Sequence, residues 1–68
     1  MDMRYVNSSN LVRVGYDASD QTLRIEFRSG TYDYFNVPAH VYSGLLNASS
    51  HGSYHAQHIK DVYGYRRL

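Results

Sequence analysis

The sequence contains no cysteine, no tryptophan and a single proline. The first absence excludes disulfides, thiolate nucleophiles, zinc knuckles and cysteine-ligated iron–sulfur clusters. Stability must therefore come from packing or self-association. An excess of charge of one sign is missing too. Seven Lys and Arg against six Asp and Glu leave a net charge of +1. No broad field draws in nucleic acid or membrane, and an electrostatic partner must recognise a local patch. Apolar runs reach only two or three residues, and positions 1–9 carry Asp2 and no apolar stretch. Neither a signal peptide nor a membrane span is expected, and the protein is expected in the cytoplasm.

Sixty-eight residues suffice for one domain, 1–68. A chain of this size buries only roughly 60–65% of its unfolded surface, which leaves little for a deep pocket. No small-molecule substrate is evident. Eight of the residues in the 43% hydrophobic fraction are tyrosines, so tyrosine supplies much of the core.

Residues 7–10, Asn-Ser-Ser-Asn, favour a turn, although Tyr5 and Val6 can still pair with another strand. From 11 to 16, Val12, Val14 and Tyr16 alternate with Leu11, Arg13 and Gly15, the period of a strand. Turn formers at 17–20 precede a second alternation, in which Leu23, Ile25 and Phe27 interleave with Thr22, Arg24, Glu26 and Arg28. Ser29-Gly30 reads as a two-residue hairpin loop into a third strand at 31–35. In that register Phe27 opposes Tyr32, Ile25 opposes Tyr34, Val14 opposes Leu23 and Val12 opposes Ile25, which turns both tyrosines towards the core. The other face reads Arg13, Arg24 and Phe35 in one cross-strand row, with Glu26, Asp33, Arg28 and Leu11 around it. Asn36 and Pro38 announce a helix over 38–48 with Val41, Leu45 and Ala48 on its inner face. A serine within 49–53 then caps a second helix reaching about Asp61, with Ile59 and Tyr54 or Ala56 inward. Gly52 sets His51 before this helix. The tail, 62–68, alternates tyrosines with Gly64 and ends basic; it reads as an added strand or a packed extension. The expected architecture is α+β: a three-stranded antiparallel meander, with a possible terminal strand, covered on one face by two helices.

His51, His55 and His58 have the i, i+4, i+7 spacing that stacks side chains along a helix, as a metal site requires. No carboxylate lies within that stretch, and the reading adopted is a solvated stripe with neither metal nor cofactor. Glu26 and Asp33 oppose each other in the register above, flanked by Arg24 and Arg28; they read as a compensated charge cluster and not as a catalytic dyad. No nucleophile elbow or glycine-rich phosphate loop is present, and an enzyme is not expected. Nucleic-acid binding has more to work with. Arg13, Arg24, Arg28, Lys60, Arg66 and Arg67 are interleaved with Phe35, Tyr63 and Tyr65. Bases stack on such rings while guanidinium groups hold phosphates.

The ordered set Ser8-Ser9-Asn10, Val14-Gly15-Tyr16-Asp17, Leu23, Phe27, Ser29-Gly30 and Tyr32-Asp33-Tyr34 resembles the KTSC domain family, whose signature is a Y-x-Y. Val37-Pro38, Tyr42, Leu45-Leu46, Ala48-Ser49, Gly52, Tyr54, Ile59-Lys60, Tyr63, Tyr65 and Arg66 continue the match over most of the chain. The sequence departs from the pattern at His55, after Tyr54, where an aromatic and then an asparagine are expected; the start of the second helix is affected. The resemblance implies a small domain that stands alone in bacterial and phage proteins and closes some lysyl-tRNA synthetases, and for which RNA binding has been suggested. The register makes Tyr32 and Tyr34 packing elements whose hydroxyls need buried partners. RNA is then expected at Arg13, Arg24, Arg28 and Phe35, or at Tyr65, Arg66 and Arg67. A protein partner or a homo-oligomer is the alternative, because a short sheet has open edges.

Overall fold

The computed structural model describes residues 1–68. Strands β1 (Met3–Tyr5), β2 (Leu11–Asp17), β3 (Thr22–Phe27) and β4 (Gly30–Tyr34) are followed by helices α1 (Ala39–Asn47) and α2 (His51–His58), and then by β5 (Tyr65–Arg67). All neighbouring strands are antiparallel and lie in chain order, giving one five-stranded sheet. The α+β expectation holds, and the meander gains a strand at each edge. Both terminal segments pair: β1 runs along β2, and β5 brings the basic tail alongside the tyrosine strand.

The alternation at 22–27 decides which face of the sheet is buried. Leu23 and Ile25 are fully buried, and Val14, Leu11, Tyr34, Val37, Val41, Leu45 and Ile59 join them in one core. Both hairpins are displaced by two residues from the expected register. The tight loop is Arg28-Ser29, so Phe27 opposes Gly30, Ile25 opposes Tyr32 and Leu23 opposes Tyr34. Across β2 and β3, Val14 opposes Ile25 and Tyr16 opposes Leu23. A shift by two preserves the face of every side chain, because the pleat has a period of two. The inward set therefore survives while the partners change. One exchange comes from a β-bulge between Leu11 and Arg13. The extra residue is Val12, which is only half-buried, and Leu11 takes the core position instead.

Helix α1 lays Val41 and Leu45, four residues apart, on the sheet. Pro38 is its N-cap and not its first helical residue, and no side chain caps it; Asn36 instead takes a positive φ of 59° in the preceding turn. Tyr16 stacks on Tyr42 with centroids 5.2 Å apart, and its hydroxyl donates to the Val37 carbonyl. Helix α2 begins where the Ser50 hydroxyl accepts from the Ser53 N–H at 3.2 Å. Despite Gly52, His51 is its first residue. The helix ends at His58, and turns carry the chain through 59–62. Ile59 is buried as expected, Tyr54 is half-buried and Ala56 is exposed.

Candidate nucleic-acid interface

The expected binding residues lie in two places. Arg13, Arg24, Asp33, Glu26 and Arg66 occupy the face away from the helices, but not as an arginine–phenylalanine row. The two-residue shift puts Arg13 opposite Glu26, Arg24 opposite Asp33 and Arg66 on the other side of Asp33. Phe35 lies beyond β4, 38% exposed, with its N–H bonded to the Gly64 carbonyl. Glu26 and Asp33, expected to oppose each other, each have a cation instead. Arg13 Nε donates to Glu26 Oε1. Arg24 grips Asp33 with both Nε and Nη2, at 2.7 and 2.9 Å. The Asp33 side chain is only 7% exposed, so this fork neutralises a buried carboxylate. Arg28 Nε donates to the Ser9 carbonyl at 2.8 Å. Arg13, Arg24 and Arg28 are thus already engaged within the fold.

The second group converges on a cleft. Antiparallel pairing sets Tyr65 opposite Tyr34 and Arg67 opposite Tyr32, all on the helix-bearing face. Phe27 from β3 and His55 from α2 approach from the other side. An open cleft of about 280 Å³ results, lined by Phe27, Ser29, Tyr32, Tyr34, His55, Lys60, Asp61 and Tyr65. Its wall is aromatic. Tyr65 lies 5.7 Å from Tyr32 and 5.9 Å from Tyr34, and Phe27 meets Tyr32 and His55 edge-on at 5.8 and 4.9 Å.

Exposure divides the roles of the rings. Tyr34 is buried and its hydroxyl shares a 2.9 Å hydrogen bond with His55 Nε2. It packs in the core, and its hydroxyl has the partner that burial requires. Burial above all, with help from Tyr32 and Tyr65, pushes its phenol up to about 12. Tyr32, expected in the core with it, is only half-buried, because Arg67 and Tyr65 and not a helix stand beside it. Tyr65 is 61% exposed. The Arg67 guanidinium sits over Tyr32, 5.7 Å from the ring centroid, and donates to the Ser29 carbonyl at 2.8 Å. Gly30 makes this possible, since a Cβ there would come within 2.9 Å of the guanidinium. Lys60 is the cation in the cleft lining, and Arg66 lies on the opposite face of the sheet.

The histidines do not form a stripe. His51 Nδ1 donates to the Leu45 carbonyl at 2.7 Å, His55 is packed in the cleft wall, and His58 lies against Tyr54. No three His, Asp or Glu residues are gathered as a metal would need. Burial, and to a lesser degree Lys60, lowers the His55 pKa, so its imidazole is neutral at pH 7. Sequence reasoning counted Lys60 among the basic residues but missed Phe27, Ser29, His55 and Asp61 as cleft residues. One signal was available for His55: it stands four residues before Ile59, the spacing that aligns side chains on one helical face. No helix is long and apolar enough to cross a membrane.

Known proteins carry the same unit. The KTSC domain profile matches residues 7–63. The lysine–tRNA ligase of Trichormus variabilis is 44% identical over 54 residues, covering 78% of this chain and 10% of the ligase. The chain thus spans about a tenth of the ligase it matches. A protein of Stutzerimonas stutzeri is 42% identical over 65 residues, covering 93% of this chain and 92% of that protein. The crystal structure of a KTSC domain protein from Yersinia pestis matches with a TM-score of 0.97 at 32% identity, over 98% of this chain and 96% of the other. Profile, relatives and fold agree over nearly the whole length, and the chain belongs to the KTSC domain family.

Proposed function

We propose that this domain is a small non-enzymatic binding module for single-stranded nucleic acid, RNA foremost, working in the cytoplasm. The observation that carries the reading is the exposed Tyr65 ring beside Tyr32, with the Arg67 guanidinium held over Tyr32. An unstacked base finds aromatic faces there, each stacked base being worth about 1–3 kcal/mol. Lys60, in the cleft wall, and Arg67, over Tyr32, are the cations placed to meet the flanking phosphates. The similarity to a segment of a lysine–tRNA ligase supports RNA over DNA. The outer-face arginines contribute little in this reading, since Arg13 and Arg24 already serve Glu26 and Asp33.

Fluorescence anisotropy with a labelled single-stranded RNA tests it. Tyr65→Ala and Arg67→Ala should each weaken binding several-fold, and Arg13→Ala should not. With two phosphate contacts, log K should fall against log salt with a slope of about −1.4, from roughly −0.7 per contact on single strands. Equal losses from Arg13→Ala and Arg67→Ala would contradict the choice of site.

A second reading rests on β5, a three-residue strand that is exposed throughout and open along one edge. A second copy or a partner strand can add there. Light scattering across concentration separates the two: a strict monomer removes self-association, and a mass that doubles with concentration favours it.

A further inference from the structure

Stacking and phosphate attraction leave one feature of the cleft unexplained. Asp61 lines it, next to Lys60 in sequence, and a carboxylate repels the phosphates of any nucleic acid. Its side chain is committed to nothing else, for it takes part in neither salt bridge of the protein. Its backbone also carries a cost. At φ 63°, shortly after α2, Asp61 occupies a left-handed position that glycine adopts freely. Aspartate tolerates that position, and there it stands in the cleft wall without a partner in the fold.

Resting on the RNA reading above, we infer that the cleft selects guanine. A base stacked on the exposed Tyr65 ring turns its Watson–Crick edge towards Lys60 and Asp61, which line the same cleft. Guanine is the one standard base whose edge sets two donors side by side, N1–H and the N2 amine, next to an acceptor, O6. The Asp61 carboxylate accepts from both donors, and the Lys60 ammonium donates to O6. Adenine and cytosine each place a ring-nitrogen acceptor where Asp61 needs a donor; uracil offers a single donor between two carbonyls. The cleft, at about 280 Å³, lies at the small end of ligand pockets, which run from about 300 Å³ upward, and so suits one base and not a stacked pair.

The test uses fluorescence anisotropy at low salt, with short labelled uridine oligomers carrying one central guanosine, adenosine, cytidine or inosine. The guanosine oligomer should bind about ten-fold or more tightly than the adenosine and cytidine oligomers, the discrimination typical of a good bidentate pair. Inosine, which lacks the N2 amine, should lose most of that margin. Asp61→Asn, which suits the same backbone position and removes only the charge, should bring the oligomers together without moving the urea midpoint. Lys60→Ala should weaken the guanosine oligomer most. Equal binding of all oligomers by the native chain overturns the guanine inference and leaves the RNA reading standing. So does an Asp61→Asn variant that binds every oligomer more tightly by the same factor, since Asp61 would then act by repulsion alone. Failure of every oligomer to bind overturns both.

Discussion

Arg24→Ala should destabilise the protein far beyond what a partly exposed arginine on a sheet surface suggests. The guanidinium is the bidentate partner of a carboxylate only 7% exposed, through contacts of 2.7 and 2.9 Å. Exposed substitutions usually stay within about 0.5 kcal/mol. Removing one partner of a buried ion pair instead strands a desolvated charge, which typically costs about 3–5 kcal/mol. Two features of this site reduce the figure. Arg24 is itself 36% exposed, so water can follow it out, and Arg66 opposes Asp33 from β5 and can turn towards it. The expected loss is then about 2–3 kcal/mol, the upper part of the range of about 1.5–3 kcal/mol for hydrogen bonds to charged groups. For a chain of this size total stability is about 3–10 kcal/mol, so the melting temperature should fall by about 10 °C or more. Urea denaturation followed by far-ultraviolet circular dichroism reads the change, and Arg24→Ala combined with Asp33→Ala should recover part of it because no buried charge remains. A loss under 0.5 kcal/mol for Arg24→Ala alone would refute the reading that the buried Asp33 carboxylate depends on Arg24.

Other consequences follow from the packing. Gly44→Ala should destabilise by about 1–3 kcal/mol through overpacking, although the same change in an open helix stabilises; a Cβ there would stand 2.6 Å from Tyr54 Cζ. Adding Tyr54→Phe, which removes the hydroxyl nearest to that Cβ, should return part of the loss in the same urea assay. Tyr34→Phe deletes only the bond to His55 and should cost about 0.5–1.5 kcal/mol, whereas Tyr34→Ala opens the core and should cost about 3 kcal/mol or more. Near-equal losses for the two would place Tyr34 outside the core. Because burial lowers the His55 pKa, the unfolded chain binds its proton more readily than the folded one. Stability should be insensitive to this group at neutral pH and should fall as pH drops below the ordinary histidine value of about 6.5. His55→Gln should flatten that decline in melting curves recorded across pH.

The alternation of Leu23, Ile25 and Phe27 with polar residues was enough to read the sheet's buried face, and Val41 with Leu45 was enough to read the first helix. Partner identity was not legible to the same degree. The hairpin closes at Phe27 and Gly30 with Arg28-Ser29 as its loop, and sequence alone does not separate this from a loop one position later in each strand. That ambiguity kept every face and altered every partner, so a supposed pairing of Glu26 with Asp33 became two ion pairs of opposite charge. The bulge that exchanges Val12 for Leu11 leaves no trace in the alternation of a short strand. The tyrosine and arginine side of the cleft was half legible, since 65–67 stood out as an aromatic and basic tail. Its other side was hidden, because Lys60 and Asp61 reach the cleft only through the turns that follow α2. His55 read as part of a solvated histidine stripe until Phe27 and Tyr34 were found against it.

The proposed seat of single-stranded RNA is the cleft between β4, β5 and α2. A two-dimensional amide NMR titration with a short single-stranded RNA, repeated at low and moderate salt, tests it directly. Shifts should gather at Phe27 to Gly30, Tyr32, His55, Lys60, Asp61 and Tyr65 to Arg67 and shrink as salt rises. Shifts confined to Tyr5, Arg13 and Glu26 on the opposite face, or none even at low salt, would contradict it.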